Sequence, residues 1–289
     1  MIVAFAPGGA TDVLARLLAQ KLGERWAHPM VVENRGGGGT VIATELVVKA
    51  DPDGHTLLFT SAALVINPSL RKSLPYDTVN DLTPVTLATA SPSLLVVNPS
   101  VPAKDMKELL ALAKAKPGTL SFGSSGIGAS NHLAGELVKI KAGVDMIHVP
   151  FKGTGDAMAA LLGGQITMMF DSMVSGLTQV RAGSLRPIGV TSARRVPSVS
   201  EIPAIAETIP GFEVDSWLGI LGPARMSNDT LAKVNAELTW ALNHPDVKGK
   251  LAELGTAVVA STPDQFRAAI KTEIETWRQT ITAANIPQE

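Results

Sequence analysis

The feature that most constrains this chain is a unit repeated along its length: a short apolar run, a loop rich in glycine or serine, then an amphipathic helix. Ile2, Val3, Ala4 and Phe5 lead through Pro7-Gly8-Gly9 into a helix expected over 12–22. There Val13, Leu14, Leu17, Leu18 and Leu22 recur at helical spacing. Thr11 or Asp12 is the expected N-cap and Gly23 the expected stop. A strand over 30–33, four glycines at 36–39, a helix over 41–49, a turn at Asp51-Pro52-Asp53-Gly54 and a strand over 55–60 follow. Further strands are expected over 84–89, 94–98, 120–123, 146–149, 166–170, 187–191 and 213–221. Helices are expected over 102–114, 131–141 and up to 162. The remainder reads as helices over 229–243, 246–254 and 263–284, with a short strand over 257–259.

Strands alternating with helices predict parallel sheets covered on both faces. More than about eight strands in one chain point to two such sheets. The C-terminal helices need a sheet to pack on, so the first domain is expected to be discontinuous. The expectation is an α/β fold of two doubly wound lobes, one from 1–91 and 217–289, the other from 92–216. Two crossover strands near 92 and 216 and a central cleft would make a hinged clamp.

Composition narrows what such a clamp holds. With 25 Lys+Arg against 26 Asp+Glu the net charge is −1, so no global field draws nucleic acid or an anionic membrane. A hydrophobic fraction of 45% and a charged fraction of 18% argue against disorder. The absence of cysteine excludes disulfides, thiolate metal sites and a cysteine nucleophile. The histidines at 28, 55, 132, 148 and 244 show no HxxxH or HxH spacing, and no metal or cofactor is expected. The longest stretch without charge, 82–103, carries Pro84, Pro92, Pro99 and Pro102 and is no spanning helix, so no membrane insertion is expected. The chain opens directly on a core strand with no signal-peptide pattern. The natural chain is therefore expected to begin upstream, with an export leader.

In open α/β folds ligands sit beyond the carboxyl ends of strands, at helix N-termini. Two loops fit. In Pro7-Gly8-Gly9-Ala10-Thr11 glycines expose backbone N–H groups and the following helix adds positive partial charge, an anion site without a charged side chain. A mere tight turn is the other reading of these glycines. The second loop, Ser124-Ser125-Gly126-Ile127-Gly128-Ala129-Ser130, adds hydroxyls in the same setting. The two together fit a small carboxylate held by amides, hydroxyls and water.

Nucleotide motifs fail: GxGxxG and GxxxxGK[ST] are absent, as is GxSxG. Ser130 and His132, two apart at a helix start, do not face each other as nucleophile and base. His132 is read as a hydrogen-bond donor in the loop or helix, or as a packed histidine. Asp171 either accepts from a ligand or caps the next helix. The glycines 36–39 serve flexibility or close approach. Lys152-Gly153 reads as a turn, Arg194-Arg195 as surface, and Trp217 as core or hinge packing.

The sequence at these positions resembles the substrate-binding proteins of tripartite tricarboxylate transporters, the TctC or Bug family of bacterial periplasmic receptors. The matching text is FAPGGATDVLAR at 5–16, VVENR at 31–35 with its glycine run, DGHTLL at 53–58, SSGIG at 124–128, HLAGE at 132–136 and HVPFKG at 148–153. Gly163-Gly164-Gln165, Phe170-Asp171 and Ser216-Trp217 complete it. The glycine run lacks the family's usual alanine or proline, and Thr167 stands where the family often has an acidic residue. The resemblance implies a periplasmic binding protein-like fold without catalytic activity, closing on a mono-, di- or tricarboxylate, an aromatic acid or an acidic amino acid. It implies that Phe5, Gly8, Gly9, Ala10, Thr11, Ser125, Gly128, Ala129, Ser130 and His132 grip a carboxylate. Ser61, Ala62, Asp171 and Ser172 would lie near the ligand's distal end. The implied partners are the large and small membrane subunits of the transporter, with a monomeric receptor in the periplasm. A sensor receptor serving a signalling partner, and a small α/β hydrolase or transferase, are the alternatives.

Overall fold

The computed structural model describes residues 1–5, 7, 10–26, 28–151, 154–253 and 256–288. The chain forms two compact units. Unit 1 comprises Met1–Ala90, Trp217–Arg278 and the residues from Pro287 on; unit 2 comprises Ser91–Ser216 and Gln279–Ile286.

Along the chain come β1 (Ile2–Val3), α1 (Ala10–Trp26), β2 (Glu33–Asn34), α2 (Val41–Val48), β3 (Leu58–Ser61), α3 (Ala63–Leu70) and β4 (Leu82–Val97). Then follow α4 (Met106–Ala115), β5 (Ser121–Ser124), α5 (Ser130–Ala142), β6 (Ile147–Pro150), α6 (Thr154–Leu162), β7 (Met168–Ser172), α7 (Met173–Arg181) and β8 (Arg186–Val190). The chain returns through β9 (Asp215–Pro223) to α8 (Asn228–Leu242), α9 (Pro245–Glu253), β10 (Ala257–Val258) and α10 (Pro263–Ala283).

The pairs built by strand–helix–strand units are parallel. In unit 1, Ile2 lies opposite Glu33 of β2 and Leu58 of β3; in unit 2, Phe122 lies opposite His148 of β6 and Met168 of β7. The expected all-parallel sheets are not found, because β4 and β9 enter antiparallel. β9 runs against β3, and β4 runs against β7, β8 and β10. These two strands carry the chain past the unit boundaries.

The expected strands over 84–89 and 94–98 are one 16-residue strand, β4. Thr89 and Ala90 pair with β10, and Ser93 onward pairs with β7. Pro92, which has no N–H to donate, falls between those two pairings. The helix α3 had no counterpart among the expected elements. Six of its eight residues are buried and it contains Pro68, so it shows neither an amphipathic period nor an uninterrupted helical run.

Each unit has its own core. Val3, Leu14, Leu18, Leu22, Phe59, Ile220, Leu238 and Leu242 pack in unit 1. Leu94, Val96, Ala157, Leu161, Met169 and Val190 pack in unit 2. No helix among the described residues is long and apolar enough to cross a membrane.

Candidate functional site

In unit 1 the end of β1, the end of β2 and the first turn of α1 are tied by one polar network. Asn34 Nδ2 donates to the Phe5 carbonyl (3.1 Å) and to Asp12 Oδ1 (2.9 Å). Arg16 donates from Nε to Asp12 Oδ2 (3.0 Å) and from Nη2 to Asn34 Oδ1 (3.1 Å). Asp12 is only 4% exposed, so its charge is held inside the fold by donors on two elements. Phe5 packs half-buried against the unit 1 core.

The helix opens at Ala10, so Thr11 and Asp12 lie inside its first turn and neither is the N-cap. Gly23 does not stop it; α1 runs on to Trp26. Gly8 and Gly9 lie outside the described residues, as do Lys152 and Gly153.

Next to this network is a cavity of about 480 Å³ lined by Ala4, Phe5, Pro7, Asn34, Gly36, Gly37, Gly39 and Thr40. Gly37, Gly38 and Gly39 have φ of 127°, 57° and 62°, so the backbone path of the glycine run requires residues without Cβ. Thr40 continues the run at φ 83°, buried, with Thr44 Oγ1 donating to its carbonyl (2.9 Å) and Asn67 Nδ2 donating to that of Gly39 (2.8 Å). At the end of β3, Ser61 Oγ accepts from Ala63 N–H (3.3 Å), and Ala62 stands at the N-cap of α3 without a side-chain cap.

In unit 2 the serine-glycine loop joins β5 to α5. Ser124, fully buried, accepts at Oγ from Gly126 N–H (3.1 Å) and donates to the Gly126 carbonyl (3.0 Å). Ser125 donates from N–H and Oγ to Asn131 Oδ1, both at 3.3 Å. Gly126 and Gly128 have φ of 136° and 76°. Ala129 is the N-cap of α5 and offers no side-chain oxygen, so no side chain caps the first turn that begins at Ser130.

Of the two readings of His132 the structure has the packed histidine, and its Nδ1 is an acceptor where a donor was expected. His132 Nδ1 accepts from Gly128 N–H at 3.0 Å. That amide is therefore engaged within the loop. The ring is 4% exposed and stacks on His148 with centroids 3.8 Å apart and planes 23° apart. Phe122 stacks on His148 (5.0 Å) and His132 (6.3 Å). Burial, with the neighbouring His148 and then Lys139 adding repulsion, pushes the His132 imidazole down to about 4. Burial and then Lys139 do the same to His148, also to about 4. Both rings are neutral at pH 7.

Asp171 and Ser172 end β7. The helix cap is Ser172, whose Oγ accepts from Ser175 N–H (3.2 Å), and not Asp171. Asp171 is 5% exposed, and its Oδ2 has no hydrogen-bond partner among the described residues. Trp217 is buried, donating to Glu273 (2.9 Å) and meeting the Phe266 ring edge-on. Arg195 is at the surface, in a two-point pair with Glu207.

The sequence reading gave no holding role to Asn34, Arg16 or His148, and placed Ser124 in the loop without its contact to His148. His148 is 16 positions from His132 on another element, and only the parallel pairing of β5 with β6 brings the two together. No local spacing carried that signal.

Residues 14–286 match the profile of the tripartite tricarboxylate transporter family receptor, TctC. The chain belongs to that family. Among relatives, this receptor is 36% identical to Protein BugT of Bordetella pertussis over 280 residues, 96% of this chain and 86% of that one. Among solved structures it is similar to Rpa4515 of R. palustris with adipate (31% identity, TM-score 0.78, covering 100% of this chain and 97% of that one). It is also similar to MatC of Rhodopseudomonas palustris with bound malate (31% identity, TM-score 0.74, 97% of each chain). Its fold and family are those of solute-binding receptors that serve transport.

Proposed function

We propose that this chain is a periplasmic receptor that captures a small carboxylate and delivers it to the large and small membrane subunits of a tripartite transporter. The observation that carries the reading is the uncapped start of α5, a feature it shares with α2 and α3 but presents directly behind the serine-glycine loop. The N-termini of α4, α7 and α8 are closed by Asp105, Ser172 and Ser227. The helix behind the serine-glycine loop, α5, has Ala129 at that position and no side-chain cap. Uncapped first-turn amides at the positive end of a helix favour an anion. The bound adipate and malate of the two R. palustris relatives are carboxylates, which support that class of ligand.

Ser125 and Ser130, with Ala129 between strand and helix, are the carboxylate-gripping residues in unit 2. Phe5, Gly8, Gly9, Ala10 and Thr11 serve the same role in unit 1. Asp171, buried with an unpartnered oxygen, and Ser61, Ala62 and Ser172 contribute to ligand choice.

The receptor does no chemistry on its ligand. Ser124 Oγ lies 2.6 Å from His148 Nε2, a distance suited to a nucleophile and its base. Ser124 is fully buried, however, and its hydroxyl is already engaged at Gly126, so it presents nothing to a substrate carbonyl.

The test is Ala129→Asp. It places a carboxylate cap where the ligand carboxylate would bind. The ligand-free protein should gain about 0.5–2 kcal/mol, while affinity for adipate or malate should fall at least tenfold. Unchanged affinity in this folded variant would remove the α5 N-terminus from the site.

A further inference from the structure

We propose that His132 and His148 are positioning residues: two stacked neutral imidazoles that set the serine-glycine loop, one through the Gly128 amide and the other through the Ser124 hydroxyl. The proposal rests on the reading of α5 as the carboxylate site and adds to it the device that gives the loop its shape.

The hydrogen bonds tie both rings to the loop and fix the tautomer of one. Gly128 N–H has a proton to give, so His132 Nδ1 accepts and its ring proton sits on Nε2. Ser124 Oγ lies 2.6 Å from His148 Nε2 and 3.0 Å from the Gly126 carbonyl, so one hydroxyl links the His148 ring to the loop. His132 is therefore the Nε2–H tautomer, and each ring touches the loop at a different end.

The rest of the column locks them in place. Phe122 of β5 stacks on both rings. Gly135 of α5 lets Phe122 approach so closely that a Cβ there would stand 2.2 Å from Phe122 Cε2. Glu136, whose carboxylate lies 3.8 Å from His132 Nε2, is paired with Lys139 at 2.9 Å.

The loop needs this support because its own conformation is costly to hold. Gly126 and Gly128 both have positive φ, and glycine loses more conformational freedom on ordering than any other residue. Ala129, immediately after Gly128, is the N-cap on which the first turn of α5 is built. The bond from Gly128 to His132 closes the loop directly onto that turn and aims its open amides.

The experiment uses hydrogen exchange at pH 7 on the ligand-free protein, with α4 amides as the control for an intact fold. His132→Leu removes the acceptor, and His132→Asn returns an oxygen near the Nδ1 position. Exchange at the Gly128 amide should rise at least tenfold in His132→Leu and return to near the parent rate in His132→Asn. His148→Leu and His148→Gln should form the matching pair at Gly126. The melting-temperature shifts given by adipate and malate should follow the same pattern, lost with Leu and kept with Asn or Gln. Unchanged loop exchange in the Leu variants would overturn the proposal. Faster exchange with undiminished ligand shifts would overturn the positioning role.

Nitrogen-15 spectra of the histidines in the parent need no variant and read the tautomers directly. A proton on His132 Nδ1 would overturn the assignment even if His132→Leu failed to fold. A parent with the expected His132 tautomer and exchange that binds neither acid would instead count against the carboxylate reading, leaving the loop-setting role standing.

Discussion

The two candidate loops share one plan and differ in how they are held. Each follows a strand and opens a helix. The unit 1 loop is anchored by charge: a buried carboxylate, Asp12, takes donors from Arg16 and Asn34. The unit 2 loop is anchored without charge, by two neutral imidazoles under a phenylalanine. The difference teaches that an anion site can be built on opposite electrostatic terms. Asp12 places a negative charge in the first turn of α1, where it complements the helix end but competes with an incoming anion. The neutral His pair leaves the positive end of α5 uncompensated. On the proposed carboxylate reading the α5 loop is the stronger anion attractor of the two, and the variants below are ranked by how hard they press on that contrast.

The largest effect is expected from Phe122→Ala. Phe122 is fully buried and supports both histidines. Its loss should cost about 3–5 kcal/mol in urea unfolding. The ring pKa values, read by NMR, should rise toward the ordinary histidine value as water enters the column. A loss under about 1 kcal/mol would show that the column is not close-packed.

On the charged side, Asp12→Ala removes the acceptor shared by Arg16 and Asn34. Asn34 keeps the Phe5 carbonyl and Arg16, 54% exposed, reaches water. The expected cost is smaller, about 1–3 kcal/mol. A cost equal to that of Phe122→Ala would erase the distinction between the two anchors.

Acid separates them again. The folded His132 has a pKa of about 4, below that of the unfolded chain, so the unfolded state binds more protons between the two values. Stability is then full above about pH 6.5 and declines as pH falls toward 4. From pH 7 to pH 5 the loss from His132 alone is about 2 kcal/mol. In His132→Asn the decline in melting temperature over that range should flatten; an identical decline in variant and parent would sink the assignment.

The contrast was only half legible in the sequence. The loops themselves were readable, because glycine and serine between an apolar run and a helical period have few other uses. Their anchors were not. Asp12 looked like an N-cap because acidic residues at helix starts usually are, and only the helix opening at Ala10 moves it inside the first turn. His148 stood in the family text at 148–153, but its partnership with His132 was not legible, since strand register pairs it with β5 and through β5 with His132. The same limit explains β4, read as two strands because Pro92 normally ends one, and α3, where an apolar run with Pro68 shows no period. Local pattern was enough for elements that bury one face. It failed where tertiary pairing decides.

The smallest expected effect tests the ionic side most directly. In a double-mutant cycle of Arg16→Ala with Asp12→Ala, the coupling isolates the 3.0 Å ion pair from the packing around it. Arg16 is more than half exposed while Asp12 is buried, so solvent screens one partner only. The coupling should be about 0.2–1 kcal/mol, and raising the salt to 1 M should shrink it as the screening length falls to about 3 Å. The corresponding cycle of His132→Leu with His148→Leu should show no salt dependence, because neither ring is charged at pH 7. If both cycles responded to salt alike, the two loops would be held by the same physics and the contrast drawn from their anchors would fail.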